Sequence, residues 1–413
     1  MTIMLKRIIK TSFFSVGSRG FLSLNNLIIM LFISRGLGET KLGIYSISSF
    51  LYYLFAFLGS FELTTYFGKE IAHQRDRLEE IKRLCGEMVT TSLLGVGLSL
   101  PVLAIMFLFY RQIDAWLLVI SFVSGLIFGF EKNLSGALLG QEKMHFEFLS
   151  QATAFVMVAV PVCFFVRELD IVGVYYLRIA ASVVCIVIRV YFTGMVSYLG
   201  RKYVSLKSYN WKEIGFFSGS GLAIFVQQHI DLFILSFLIS REVQGAYFLA
   251  LRIFLAFTML PEITAFALTP FISRSYRGKD TQGFDIFYTR MFYAHVVLGL
   301  VAGAVLFFSR GLLAAAFAGK SNPGLTSEFL LYFSILVFFR SVSYYTGNVL
   351  NSTRFQGVWA SIVIITAAFL IGLELVLGKL FSVYGVLWAR GIVELIIFTA
   401  FLIAATKTKK KNN

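Results

Sequence analysis

Charged residues are scarce in this chain, and their scarcity excludes a soluble domain. They make up 14% of 413 residues, against 58% hydrophobic ones, where a soluble domain keeps roughly a quarter of its residues charged. Cysteine is nearly absent. Cys85, Cys163 and Cys185 supply neither a disulfide framework nor a metal-ligand spacing, and they read as small apolar fillers. The short alternating segments of a membrane β-barrel are missing. So is a Gly-rich phosphate loop, which argues against direct use of ATP; no cofactor and no metal is expected. No small-residue cleavage site follows the first apolar run, so that run is expected to be retained and not removed as a signal peptide. No outer connection is long enough to fold into a catalytic domain. An enzyme is not expected, and whatever this protein does is expected to happen inside the membrane.

Long apolar runs, by contrast, follow one another along the whole chain. A helix needs about 20 apolar residues to cross the hydrocarbon core, and twelve such spans are predicted: 11–34, 42–67, 84–109, 113–139, 148–167, 171–198, 213–240, 245–273, 286–309, 327–351, 357–378 and 383–405. The fold class is therefore an all-α integral membrane protein with about twelve transmembrane helices.

The net charge of +15 is placed for topology and not for nucleic acid. With the N-terminus inside, the inner connections collect Lys6, Arg7, Lys10, Lys69, Arg75, Arg77, Lys82, Arg83, Lys143, Arg201, Lys202, Lys207, Lys212, Arg274, Arg277, Lys279 and Arg354, followed by the Lys407–Lys411 tail. The outer connections hold only Arg35, Lys41, Arg111, Arg167, Arg241, Arg310, Lys320 and Lys379. That asymmetry is the positive-inside rule, and it puts both termini in the cytoplasm. The basic tail reads as a topology signal or a contact with anionic lipid heads.

The chain is written twice. "NNLIIMLFISR" (25–35) matches "DLFILSFLISR" (231–241), "LGIYSIS" (42–48) matches "QGAYFLA" (244–250), and "FELTTYF" (61–67) matches "PEITAFA" (261–267). "SGALLGQEK" (135–143) and "VGVYYLR" (172–178) then match "TGNVLNSTR" (346–354) and "YGVLWAR" (384–390). Glu62 thereby falls opposite Glu262, and Arg178 opposite Arg390. The expected organisation is a six-helix bundle over 1–200, a cytoplasmic linker over 201–212, a second bundle over 213–405 and a basic tail over 406–413. An even number of helices per half gives both halves one orientation, with a pseudo-two-fold axis along the membrane normal. Parallel repeats of this kind place a substrate site between halves that rock in alternating access. Pro101, Pro161, Pro261 and Pro270 fall inside spans, where each favours a kink, and the pair 261/270 is read as a functional bend.

Charges inside a bilayer cost several kcal/mol and usually pair or face a cavity. The spans contain Arg19, Lys132, Arg178, Arg189, Arg252, Arg290, Arg340 and Arg390, with Glu62, Glu87, Glu131, Asp231, Glu262, Glu374 and Glu394. Glu87, Glu374 and Arg290 lie close to span ends, where long side chains snorkel. Arg178 and Arg189 are three helical turns apart, roughly 16 Å along one face. A ladder of Arg19, Arg178, Arg189, Arg252, Arg340 and Arg390 suits an anionic cargo, since the guanidinium fork binds phosphate bidentately and stays charged when buried. Arg390 and Glu394, one turn apart, are expected to pair with each other. In "GLAIFVQQHIDLFILSFLIS" (221–240), Gln227 and Asp231 share one helix face with Ser220 below them. Asp231 reads as an ion-pair partner for an arginine, a proton-coupling site, or both, with the ion pair favoured. His229 lies round the helix, a proton-relay candidate or simply a hydrogen-bonded member of the bundle, the latter favoured.

Residues 25–70, "NNLIIMLFISRGLGETKLGIYSISSFLYYLFAFLGSFELTTYFGKE", resemble the first two helices of the polysaccharide-transporter branch of the multidrug/oligosaccharidyl-lipid/polysaccharide (MOP) exporter superfamily. The matching features are Gly38, the turn Gly43-Ile44-Tyr45, and Glu62 shortly before the helix leaves into a loop with Lys69. "DLFILSF", "GAYFLALR" and "LTPFISR" within 231–274 are similar to the seventh and eighth helices. The resemblance implies a flippase that moves a polyprenyl-pyrophosphate-linked oligosaccharide from the inner to the outer leaflet of the bacterial cytoplasmic membrane, for O-antigen or capsule synthesis. It further implies headgroup contacts from Arg19 and Arg252, membrane lipids as neighbours, and association with polysaccharide polymerase machinery. The two additional helices of the superfamily's lipid II flippases have no counterpart here, which points to the O-unit or capsular type. The alternative is a cation-coupled multidrug exporter of the same superfamily. A membrane-embedded polymerase or ligase is disfavoured by the missing outer loop.

Overall fold

The computed structural model describes residues 2–74, 77–111, 113–194, 211–277, 281–318 and 322–410. Most of the expected linker 201–212, the end of the tail, and Arg75, Arg201, Lys202, Lys207, Lys279 and Lys320 lie outside the described residues. Within them the chain is helical, as α1 (Thr2–Leu37), α2 (Glu39–Ser60), α3 (Thr64–His73), α4 (Leu78–Phe109), α5 (Ala115–Gly140) and α6 (Met144–Thr193), followed by α7 (Trp211–Leu238), α8 (Arg241–Arg277), α9 (Thr281–Ala318), α10 (Pro323–Asn351) and α11 (Gln356–Lys410).

Eleven helices give twelve spans because four of them, α2, α3, α6 and α11, depart from one helix per crossing. A straight helix of 50 residues, the length of α6, would measure about 75 Å, against a hydrocarbon core of about 30 Å. It does not run straight. Asp170 takes φ 49°, ψ −171°, and the chain reverses so that Cys185 Sγ lies 3.2 Å from the Ser150 carbonyl. The 55-residue α11 does the same at Ser382, φ 56°, ψ −135°. A Cβ on Gly385 would sit 1.9 Å from the Leu377 carbonyl oxygen, a separation only a hairpin allows. Conversely, α2 and α3 form a single span broken at Phe61 and Glu62, both at positive φ. The two reversals are 212 residues apart, the same offset that aligns Arg178 with Arg390.

Two compact units result, residues 1–37 with 44–225, and 38–43 with 226–413. In the first, α5 presents Gly125, Gly129, Gly136 and Gly140 to the α2–α3 backbone. A Cβ at Gly129 would fall 2.6 Å from the Ala56 carbonyl oxygen, and one at Gly136 2.4 Å from that of Thr64. Small residues let membrane helices approach this closely. In the second unit, Gly299 and Gly303 of α9 meet Ser341 and Ser334 of α10 in the same way. Helix starts are capped where they leave the bilayer: the Asp114 side chain accepts from the Trp116 amide at 2.9 Å, and Asn322 with Pro323 opens α10. Outward faces such as that of α4, with Leu93, Leu98, Ile105 and Leu108 exposed, form the apolar surface a bilayer covers. Pro261 lies inside a continuous α8, whereas its repeat counterpart Phe61 breaks the helix.

Candidate functional site

The first unit holds a half-open cavity of about 220 Å³ walled by α1, α3, α5 and both limbs of α6. α1 contributes Ser18, Arg19 and Leu22, α3 contributes Thr64, and α5 contributes Glu131, Lys132 and Ser135. The α6 limbs add Glu147, Gln151 and Arg189. Arg19 is exposed on this wall. Lys132 is half-buried and in contact with Glu62, whose left-handed backbone brings its carboxylate to the ammonium. The break between α2 and α3 thus has a consequence at the site, because a continuous helix would aim position 62 elsewhere. The Thr64 hydroxyl ties the next turn to the Lys132 carbonyl at 3.1 Å.

Behind the wall, Arg189 is 1% exposed and held by two carboxylates. Its Nη1 lies 2.9 Å from Glu131 Oε1, its Nη2 donates to Glu147 Oε1 at 3.0 Å, and its Nε lies 2.9 Å from Glu147 Oε2. Gln151 bridges the two acids from 3.4 Å. Glu147 was not legible as a buried acid because it falls one residue before the predicted span 148–167; its spacing from Gln151 was the available signal.

Arg178 has different company. It is 8% exposed, its Nη2 donates to Asn26 Oδ1 at 3.0 Å, and its guanidinium carbon lies 4.9 Å from the centre of the Tyr52 ring and 5.7 Å from those of Tyr45 and Tyr175. Cation–π contacts of this kind stabilise a buried guanidinium without neutralising it.

In the second unit the polar line on α7 closes onto α11. Arg390 donates to Asp231 Oδ2 at 2.8 Å and to the Gln227 carbonyl at 3.1 Å. The Tyr247 hydroxyl donates to the same Asp231 oxygen at 2.6 Å. The Gln227 side chain reaches Thr366 Oγ1 at 2.9 Å. Asp231 therefore has its arginine. Arg390 does not pair with Glu394 as one-turn spacing implied; Glu394 faces Arg340 of α10 instead, since helix packing presents α10 to that face of α11. Glu374 is fully buried, not snorkelling, and neither carboxyl oxygen has a hydrogen-bond partner among the described residues. Glu87 is likewise buried, 3.4 Å from Arg83. Arg252 is half-buried over the Phe248 ring at 5.0 Å, Glu262 is half-buried, and His229 is buried on α7.

Of the six arginines in the sequence ladder, Arg189, Arg340 and Arg390 meet carboxylates within their own unit, and Arg178 meets the Asn26 amide and three tyrosine rings. Those that line one cavity together are Arg19 and Arg189, with Lys132 beside them.

Twelve apolar spans in two helical units with charge pairs buried inside each define a multi-pass membrane transporter fold. It is similar to that of an inward-facing multidrug resistance MATE family transporter of the MOP superfamily, with a TM-score of 0.71, 14% identity, and 94% of this chain and 95% of that one covered. An outward-facing MATE family transporter gives 0.70 at 16% identity, covering 98% and 96%. A MOP superfamily transporter from Pyrococcus furiosus, described as having a binding pocket of reversed polarity, gives 0.70 at 16% identity, covering 98% and 94%. No curated protein matches the sequence. Residues 8–276, well over half of the chain, match the family described as polysaccharide biosynthesis protein. The chain belongs to that family.

Proposed function

We propose that the protein is a flippase for a polyprenyl-pyrophosphate-linked oligosaccharide, moving it from the inner to the outer leaflet of a bacterial cytoplasmic membrane for O-antigen, capsule or exopolysaccharide assembly. The observation that carries this reading is Arg19, exposed on the wall of a half-open cavity in a chain of the polysaccharide biosynthesis family. Its planar fork suits the pyrophosphate, Ser18, Thr64 and Ser135 offer hydroxyls for sugars, and the prenyl tail would remain in lipid. Arg252 of α8 is assigned the second headgroup contact. Both termini face the cytoplasm in this reading, the driving force comes from an ion gradient or the membrane potential, and polysaccharide polymerase machinery is the expected partner for the product. Arg189, Arg340 and Arg390 are assigned to holding each unit together through their ion pairs.

The rival reading, a cation-coupled multidrug exporter, draws on Glu131 and Glu147 at the same cavity and on Glu62 beside its Lys132. Lys132 already meets Glu62, and Arg189 meets the other two, which leaves the wall little acidity for a cationic drug. Reconstitution into liposomes with a short-chain polyprenyl-pyrophosphate glycan tests the choice. Wild type is expected to move the glycan between leaflets, and Arg19→Ala or Arg252→Ala to lose at least about tenfold in rate, the worth of one charge-assisted contact. Full transport by both variants would overturn the site. No glycan movement, with gradient-driven efflux of a cationic dye, would overturn the flippase.

A further inference from the structure

The two halves build the same buried arginine cluster with one charge missing. Arg178 and Arg390 each lie eight residues beyond a chain reversal, at Asp170 and Ser382. Tyr45 and Tyr247 are repeat counterparts, each beside its own arginine. In the second unit Arg390 Nη2 meets the Asp231 carboxylate at 2.8 Å. In the first, Arg178 Nη2 meets the amide oxygen of Asn26 at 3.0 Å. The sequence repeat sets the neighbouring Asn25 opposite Asp231, and the contact moves the equivalence by one residue. Either way an uncharged amide stands where the other half has an acid.

A buried guanidinium with no counter-charge is among the costliest groups a membrane protein can carry. Arg178 is more than nine-tenths buried, and its Nη1 has no hydrogen-bond partner among the described residues. The three tyrosine rings around it attract the cation but remove no net charge. Glu131 of α5, in the same unit, is committed to Arg189. With the Tyr45, Tyr52 and Tyr175 rings 4.9 to 5.7 Å from the guanidinium carbon, a small anion is favoured over a branched one such as a pyrophosphate.

We propose that Arg178 binds a small inorganic anion of the halide class, which takes the part that the Asp231 carboxylate plays for Arg390. The site is separate from the headgroup contacts assigned to Arg19 and Arg252, and it does not depend on what the protein transports.

Thermal unfolding of the purified full chain in detergent, in sodium chloride against sodium gluconate at equal ionic strength, tests it. Because a ligand that binds only the folded state raises its stability, the wild-type midpoint is expected to rise by roughly 2 °C between about 1 and about 100 mM chloride. Asn26→Asp places a carboxylate against Nη2 and is expected to abolish that dependence. Arg178→Met removes the cation and is expected to abolish it too, which keeps the comparison available if the aspartate variant does not fold. A wild-type midpoint equal in both salts overturns the proposal whatever the variants do. A chloride dependence that survives unchanged in either folded variant overturns it as well, since the anion would then sit elsewhere.

Discussion

Asp231 and Arg390 show how a single buried charge depends on its neighbour. The pair is desolvated on both sides, at 0% and 2% exposure of the side chains. Removing one member leaves the other uncompensated, so Asp231→Ala is expected to cost about 3–5 kcal/mol, while the double replacement Asp231→Leu with Arg390→Leu recovers most of it. Denaturant titration in detergent, reading the single and double variants in one cycle, measures this directly. Arg189 behaves differently because it has two acids. Glu147→Gln keeps the Glu131 contact and is expected to cost about 1 kcal/mol, whereas Arg189→Leu strands two carboxylates and costs several times more. Equal losses in the two variants would mean that the network does not share its charge in this way.

At the scale of the element, the decisive features are places where a helix stops being regular. Asp170 and Ser382 hold backbone angles that suit glycine, and such residues cost about 1–3 kcal/mol. Ser382→Gly is expected to stabilise the protein by about 1 kcal/mol, once the added freedom of the unfolded glycine is subtracted; an unchanged or lowered unfolding midpoint would show that the Ser382 backbone is not strained. The α5 glycines test packing in the other direction. Gly129→Val drives a side chain into the Ala56 carbonyl and is expected to cost about 1–3 kcal/mol or prevent folding. Gly97→Ala on α4, where a Cβ meets nothing within 4 Å, serves as the control, and α-helix propensity predicts a small gain there.

For the whole molecule, the distribution of positive charge predicts which ends of the helices face the cytoplasm. In a background with Cys85, Cys163 and Cys185 replaced, Arg77→Cys, in a connection that the charge distribution predicts to be inside, is expected to resist a membrane-impermeant thiol reagent until cells are permeabilised. Lys379→Cys, at the α11 hairpin that the same distribution predicts to be outside, is expected to react in intact cells. The reverse pattern would invert the topology and with it the direction of transport. All twelve predicted spans recur in the structure, since each rests on a hydrophobic run whose length matches the bilayer and needs no knowledge of neighbours. The reversals at Asp170 and Ser382 fall in the short gaps between predicted spans, marked in the sequence by the polar residues Arg167, Glu168 and Asp170 and by Lys379.

What the sequence by itself determined is everything governed by distance along the chain: the membrane spans, the repeat, the placement of the reversals, and the presence of charges at depth. Periodicity and hydropathy act locally, so they are readable residue by residue. Which charges meet was decided by tertiary structure alone. The azimuth of each helix depends on packing against several others, through contacts such as Gly129 on Ala56 that no single helix encodes. That is why the sequence implies an arginine for Asp231 without singling out Arg390, and why one-turn spacing pairs Glu394 with Arg390 when α10 supplies its partner. It is also why Glu374 and Glu147, unremarkable at the ends of apolar runs, prove to be buried. Partner choice is a property of faces, and faces exist only once the helices have packed.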